Sequence, residues 1–398
     1  MKETLRCSSS ARDPASLVVG AIAAQLIGGL VAQMSPLMIG GFMDGLSLSE
    51  RDAGFVASLE LLILAATAIA IAPFLPRISY RRISLAAVAL TLGAQAASIF
   101  SLSLGSLALL RGLAGIGEGA LYAVSLSIVA SRSSNPDKVY GYFQIAWALG
   151  SVALFSVGGQ VTEAFAHRGI LALIAGVTLA LAPFLFFIPD ARANSGDRTV
   201  KSPALVAPPL LGVVTLSAIV LYISVSAALY AFSTPLGERA GLDTIAVGYA
   251  LTLTTLIGLA GAAAATVLNL RWGRALPISC FCAAFMIVAI ALCLWRHPTA
   301  YIVALTASGI IYYFSIPYLF GLAAALDRNG RWAAAAGSAY LLGFAIGPLA
   351  AGAVIAAGGY ASLAAVCIAV TAVAWVLAMV VIRRLSEPAH AALQADAA

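Results

Sequence analysis

The chain has 398 residues, of which 62% are hydrophobic and only 10% are charged. A water-soluble domain is typically about 45–50% apolar and about 25% charged, which excludes a soluble globular protein and, equally, a disordered chain. The remaining class is a polytopic membrane protein, and the net charge of +6 has to find its explanation there.

The first residues, Met1 to Ser16, are polar and carry Lys2, Arg6 and Arg12. No short apolar stretch with a small-residue cleavage site precedes the first long hydrophobic run, so a cleaved signal peptide is not expected. A lipid-spanning helix needs about 20 mainly apolar residues. Twelve such runs follow one another: 16–43, 53–75, 83–104, 107–130, 139–160, 168–189, 208–234, 244–268, 275–295, 299–325, 333–357 and 361–382. Lipid cannot satisfy bare N–H and C=O groups, so runs of this length are predicted to be helices.

Basic residues alternate between the loops. With the N-terminus in the cytoplasm, 17 of the 22 Lys and Arg fall on the cytoplasmic side and 4 on the other, with Arg111 inside a run. The positive-inside rule then predicts both termini in the cytoplasm and an inner (plasma) membrane protein. The net charge is a consequence of topology, and the dispersed basic residues give no reason to expect nucleic acid as a partner. The longest loop, 190–207, is polar and sits mid-chain. It divides the sequence into an N-terminal six-helix half (1–189), a cytoplasmic linker (190–207) and a C-terminal six-helix half with a short tail (208–398).

The halves resemble each other weakly. Gly54 and Arg77 match Gly248 and Arg271 at an offset of 194 residues, and Trp147-Ala148-Leu149-Gly150 matches Phe344-Ala345-Ile346-Gly347 at an offset of 197. Two six-helix repeats around a midplane site are the architecture of alternating-access transporters.

Three charged side chains fall well inside apolar runs: Glu60, Arg111 and Glu118. A charge at the bilayer centre costs at least about 2.5–3.5 kcal/mol on insertion scales, so such residues face a cavity or a partner. At about 1.5 Å per residue, Glu118 lies near the midplane. Arg111 and Glu118 are seven residues apart, nearly two turns, and share a helix face. Two roles are open for Arg111: contact with an anionic substrate, for which its planar fork is suited, or a fixed ion pair with Glu60. Glu118 is the candidate proton carrier, with a static pair to Arg111 as the alternative. Glu60 is either gate or proton site. At the same offsets the second half has Thr254, Ser308 and Ser315 in place of these charges. It offers aromatics instead, among them Tyr222, Tyr312 and Tyr340, as candidates for substrate contact. Buried amides Gln33 and Gln144 are further candidates, with helix–helix hydrogen bonding as the alternative.

Arg111-Gly112-Leu113-Ala114-Gly115-Ile116-Gly117-Glu118-Gly119 resembles the fourth-helix motif of the major facilitator superfamily, and its Arg-x6-Glu form is similar to the anion–cation symporters and the spinster-like transporters. The resemblance covers essentially the whole chain. Arg271-Trp272-Gly273-Arg274 is similar to the superfamily's cytoplasmic loop motif, with Leu270 in place of the usual Asp; the first-half loop around Arg77 has lost both Asp and Gly. Gly343-x3-Gly347-Pro348-x3-Gly352 marks a packing or gating stretch in the eleventh run. The resemblance implies an all-α fold of twelve spanning helices in two pseudo-symmetric halves. It implies a proton-coupled transporter acting as a monomer in the bilayer on a small-molecule substrate. The substrate reading put first is a small organic anion at Arg111; the alternative is proton-driven export of amphipathic drugs or lipids. Arg77, Arg271, Gly347 and Pro348 would gate. The five cysteines (Cys7, Cys280, Cys282, Cys293, Cys367) read as small hydrophobes. No deep Asp pair or Ser–His pair suggests an intramembrane enzyme, and neither a metal nor a cofactor is expected.

Overall fold

A computed structural model describes residues 15–133, 136–189, 209–326 and 331–395. The 190–207 linker, Cys7 and the basic residues of the N-terminal stretch lie outside the described residues. Among those described there are helices and no strands.

The first half comprises α1 (Ala15–Leu46), α2 (Glu50–Ile71), α3 (Tyr80–Ser98), α4 (Leu104–Arg132) and α5 (Pro136–Leu181). The second comprises α6 (Pro209–Ala231), the short α7 (Ser233–Arg239), α8 (Thr244–Leu268), α9 (Ala275–Leu294), α10 (Pro298–Ala324) and α11 (Arg331–Ala395). Nine described helical stretches are long and apolar enough to cross a membrane. Two of these, α5 and α11, are each a pair of helices joined at a kink, at Ala166 (φ 48°) and Gly359 (φ 70°). Positive φ reverses the chain there at little cost for glycine and at a real one for alanine. Each of the twelve apolar runs read from the sequence falls on a helix or on one leg of these two elements.

Helix starts follow from short polar side chains at the turns. Ser49, Ser79, Ser103 and Asp243 accept from the backbone N–H of the residue three positions on, which satisfies a donor that the first helical turn leaves open. Two helical legs end alike. Ala72-Pro73-Phe74-Leu75 and Ala182-Pro183-Phe184-Leu185 each tighten into a 3-10 turn, with proline near the turn's start and a buried leucine. The proline lacks an N–H and blocks further α-helix.

Within the first half α4 packs against α1, α2 and α3; within the second, α6 packs on α11 and α10 on both α8 and α9. Across the halves the main seams are α2 with α11 and α5 with α8. We call the end where α1 begins the near end and the end where it finishes the far end. The seams are tight at the far end. A methyl group at Gly54 would stand 2.4 Å from the Pro348 carbonyl oxygen, and one at Gly248 would stand 2.6 Å from that of Phe155. The Leu349 N–H donates to Ser58 Oγ across the same seam at 2.7 Å. A single buried apolar cluster includes α1 residues from Leu30 to Phe42 together with the second half. The near end of the first half keeps a separate cluster, from Ala21 to Ile188. The two halves are therefore welded at the far end and parted at the near end.

Candidate functional site

The parting of the halves leaves a central cavity of about 560 Å³. Its first-half wall includes Gln25, Gln33, Tyr122, Gln144 and Trp147; its second-half wall includes Tyr230, Tyr312, Tyr340 and Phe344. None of its lining residues carries a formal charge. The repeat seen in the sequence is visible here. Trp147 and Phe344, related by the 197 offset, both line the cavity, one from each half. Gln33 and Tyr230, also 197 apart, meet through a 2.6 Å bond from the Tyr230 hydroxyl to the Gln33 carbonyl oxygen. The tyrosine side is a connected set of rings: Tyr230–Phe344 at 6.2 Å, Phe344–Tyr340 at 6.0 Å and Tyr312–Tyr313 at 5.5 Å. The Tyr312 and Tyr340 hydroxyls hydrogen-bond to each other.

The charged residues form a second centre, outside the cavity lining and between α2, α3 and α4. Glu60, Arg111 and Glu118 are all 0% exposed. Arg111 Nη1 lies 3.2 Å from Glu60 Oε1. Gln95 Nε2 of α3 donates to Glu118 Oε1 at 3.1 Å. Glu118 lies close enough to Glu60 and Arg111 for the three charges to act on one another. Arg111 and Glu118, nearly two turns apart on α4, do share a face, and Glu60 meets both.

The glycines of the α4 motif make this possible. A methyl at Gly115 would stand 2.5 Å from the Glu60 carbonyl oxygen, and one at Gly119 2.3 Å from that of Leu64. One at Gly117 would meet the Ala87 carbonyl oxygen of α3 at 2.5 Å. Only the missing Cβ lets α4 sit this close to both neighbours, which brings three ionisable side chains and an amide within reach of one another.

The remaining candidates separate into groups. Gln33, Gln144, Tyr312 and Tyr340 line the cavity. Tyr222 does not; its ring is buried against Phe281 (centroids 4.9 Å) and Phe285 (5.5 Å). Arg111 is likewise absent from the cavity wall, since its guanidinium is turned to Glu60. Gly347 packs inside the second half against α6, while Pro348 meets α2 across the far-end seam. Arg77 and Arg271 are exposed at the near end, one closing the 3-10 turn after α2 and the other in the turn after α8. The structure adds Gln95 of α3, whose partner is Glu118. Sequence reasoning passed over Tyr122 altogether and used Trp147 only as a repeat marker. The 197 offset, extended from Trp147 to Gln33, was the available signal for the cavity.

A sequence profile of the Major Facilitator Superfamily matches residues 18–327. The chain belongs to that superfamily. Solved structures agree on the fold. A bacterial homolog of the human lysosomal transporter Spinster, in an inward-facing and occupied conformation, superposes with a TM-score of 0.70 at 14% identity, over 93% of this chain and 96% of the other. The nucleoside transporter NupG gives 0.71 at 10% identity, covering 93% and 98%. A D-xylose–proton symporter gives 0.68 at 13%, covering 91% and 96%. No curated protein matches the chain by sequence. Membership of the Major Facilitator Superfamily makes this a multi-pass membrane transporter of small molecules.

Proposed function

We propose that this superfamily member is a proton-coupled secondary transporter, active as a monomer, that moves a small organic molecule by alternating access. The observation that carries the reading is the fully buried group of two carboxyls and one guanidinium, Glu60, Glu118 and Arg111. Charge balance sets the proton content of this group. With Arg111 permanently charged, one carboxylate and one carboxylic acid leave the site neutral; loss of the proton leaves a buried negative charge, which is costly. The site is a one-proton store.

Coupling runs through α2. It carries Glu60 of the proton store, Leu61 and Leu64 of the cavity wall, and Gly54 and Ser58 of the far-end seam. Release of the proton changes how strongly α2 is drawn to Arg111 on α4, and the same helix must part from α11 for the cavity to open at the far end. The basic-residue count supports placing the near end in the cytoplasm of an inner-membrane protein, with both termini there. The conformation described is then cytoplasm-facing.

The organic-anion reading depended on Arg111 meeting substrate. With Arg111 committed to Glu60 and no cationic group in the cavity wall, the geometry favours the second reading, an amphipathic substrate that is not an anion. Its proton exchange is tested in proteoliposomes with a trapped pH dye and a panel of organic acids, cations and lipids. A compound that drives proton movement with the wild type should drive none with Glu118→Gln. Substrate movement with unchanged pH dependence in that variant would remove Glu118 as the carrier.

A further inference from the structure

The cavity wall is chemically one-sided. Its second-half face is a ring network of Tyr230, Tyr312, Tyr340 and Phe344, and Trp147 lines it from the first half. Two of the phenol hydrogens there are committed: Tyr230 donates to the Gln33 carbonyl oxygen at 2.6 Å, and one of Tyr312 and Tyr340 donates to the other. Those three phenol oxygens keep lone pairs, and Tyr313 adds a fourth phenol to the wall. Aromatic faces and oxygen lone pairs both present negative potential. An anion in this cavity would lose its water and find no cationic partner, whereas a cation would lie against ring faces. Gln25, Gln33 and Gln144 from the first half, and Ser226, Thr254 and Ser308 from the second, add uncharged polar residues to the wall.

We propose that the central cavity binds flat aromatic organic cations, in contact with Trp147 and the Tyr340–Phe344 rings that line it, and rejects aromatic anions. This rests on the transport reading above and assigns its substrate class. A cation here also gives that reading its exchange step. Positive charge in the cavity, whose wall includes the helices that carry Glu60 and Glu118, disfavours the stored proton, so substrate entry and proton release go together. No bond forms or breaks; one positive charge replaces another.

The test uses three ring-matched probes on the purified full chain: N-methylphenanthridinium, neutral phenanthridinone and a phenanthridine carboxylate. Binding is followed by calorimetry, with Trp fluorescence as a second readout. The cation should bind at least about tenfold more tightly than the carboxylate, with the neutral ring between them. Trp147→Leu and Tyr340→Leu should each weaken cation binding about tenfold, and Tyr340→Phe, which keeps the ring, should retain it. A carboxylate or neutral probe that matches the cation in the wild-type protein overturns the proposal without any variant. So does unchanged cation affinity in Trp147→Leu and Tyr340→Leu. Failure here is separable from failure of proton coupling. Charge-blind binding with proton movement still abolished by Glu118→Gln removes the substrate class alone, whereas cation binding with proton movement indifferent to Glu118→Gln removes the coupling reading.

Discussion

Removing the two carboxylates from around Arg111 one at a time and then together is the sharpest test of the buried charge group. Arg111 Nη1 and Glu60 Oε1 are 3.2 Å apart, which at an effective dielectric of about 20 is a gross attraction of about 5 kcal/mol before desolvation is subtracted. Glu118→Gln leaves that pair in place, and the new amide oxygen can still accept from Gln95 Nε2, now at 3.1 Å from Glu118 Oε1. Its cost should be about 1 kcal/mol or less. Glu60→Gln strips Arg111 of its nearest anion but leaves Glu118 on the same helix face, for about 1–2 kcal/mol. The double variant leaves a guanidinium with 0% exposure and no anion, a situation worth about 3–5 kcal/mol. The double loss should therefore exceed the sum of the singles. The assay is unfolding of the detergent-purified protein, with the four proteins compared in one buffer as a double-mutant cycle. Additive losses would refute the shared charge balance. So would a Glu118→Gln variant as damaged as the double.

Two further expectations concern the far end. Glu238, on the short α7 beyond the spanning segments, has its carboxyl pushed up to about 7 by burial and by the nearby Asp44 and Glu163 carboxylates, with a Thr244 hydrogen bond acting against that shift. A raised carboxyl contributes stability that is complete below its unfolded value and is lost as pH rises through about 7. Thermal midpoints of the wild type should accordingly fall across that window, and Glu238→Gln should flatten that part of the profile; an unaltered slope would exclude Glu238 as its source. Ser58→Ala deletes the acceptor that takes the Leu349 N–H at 2.7 Å across the α2–α11 seam. At about 1 kcal/mol per hydrogen bond the balance should move roughly fivefold toward a far-end-open state. Spin-label distances across that end would show the shift, and an unmoved distribution would mean that the bond does not hold the seam.

Much of this protein can be read before any coordinates are seen, for one physical reason. Lipid tolerates neither bare peptide groups nor bare charge, so long apolar runs declare themselves as helices and each intramembrane charge is conspicuous. That is how Glu60, Arg111 and Glu118 stood out, and how a face shared by the two α4 residues could be inferred from a spacing of seven. The same logic fails for tyrosine. Tyr222 and Tyr340 look equivalent in an apolar run, yet one is walled in by Phe281 and Phe285 and the other lines the cavity. Both are acceptable in lipid, so composition does not distinguish them. Arg111 shows a different limit. Its need for a partner was legible, but the choice between a substrate anion and Glu60 depends on how closely α2 approaches α4. Gly115 and Gly119 set that approach, and their spacing became interpretable only when the Glu60 and Leu64 carbonyls were seen against them.

The sequence by itself determined the solvent this chain lives in, its helical class, its doubled plan and the identity of its buried charges. These depend on local chemistry, which each residue carries wherever the chain runs. Tertiary structure alone decided that the charges gather behind the cavity rather than in it, that Gln95 joins them, and that Trp147 shares a cavity with tyrosines of the other half. Those are distances between helices far apart in sequence, set by the sum of many small packing contacts that no single position encodes.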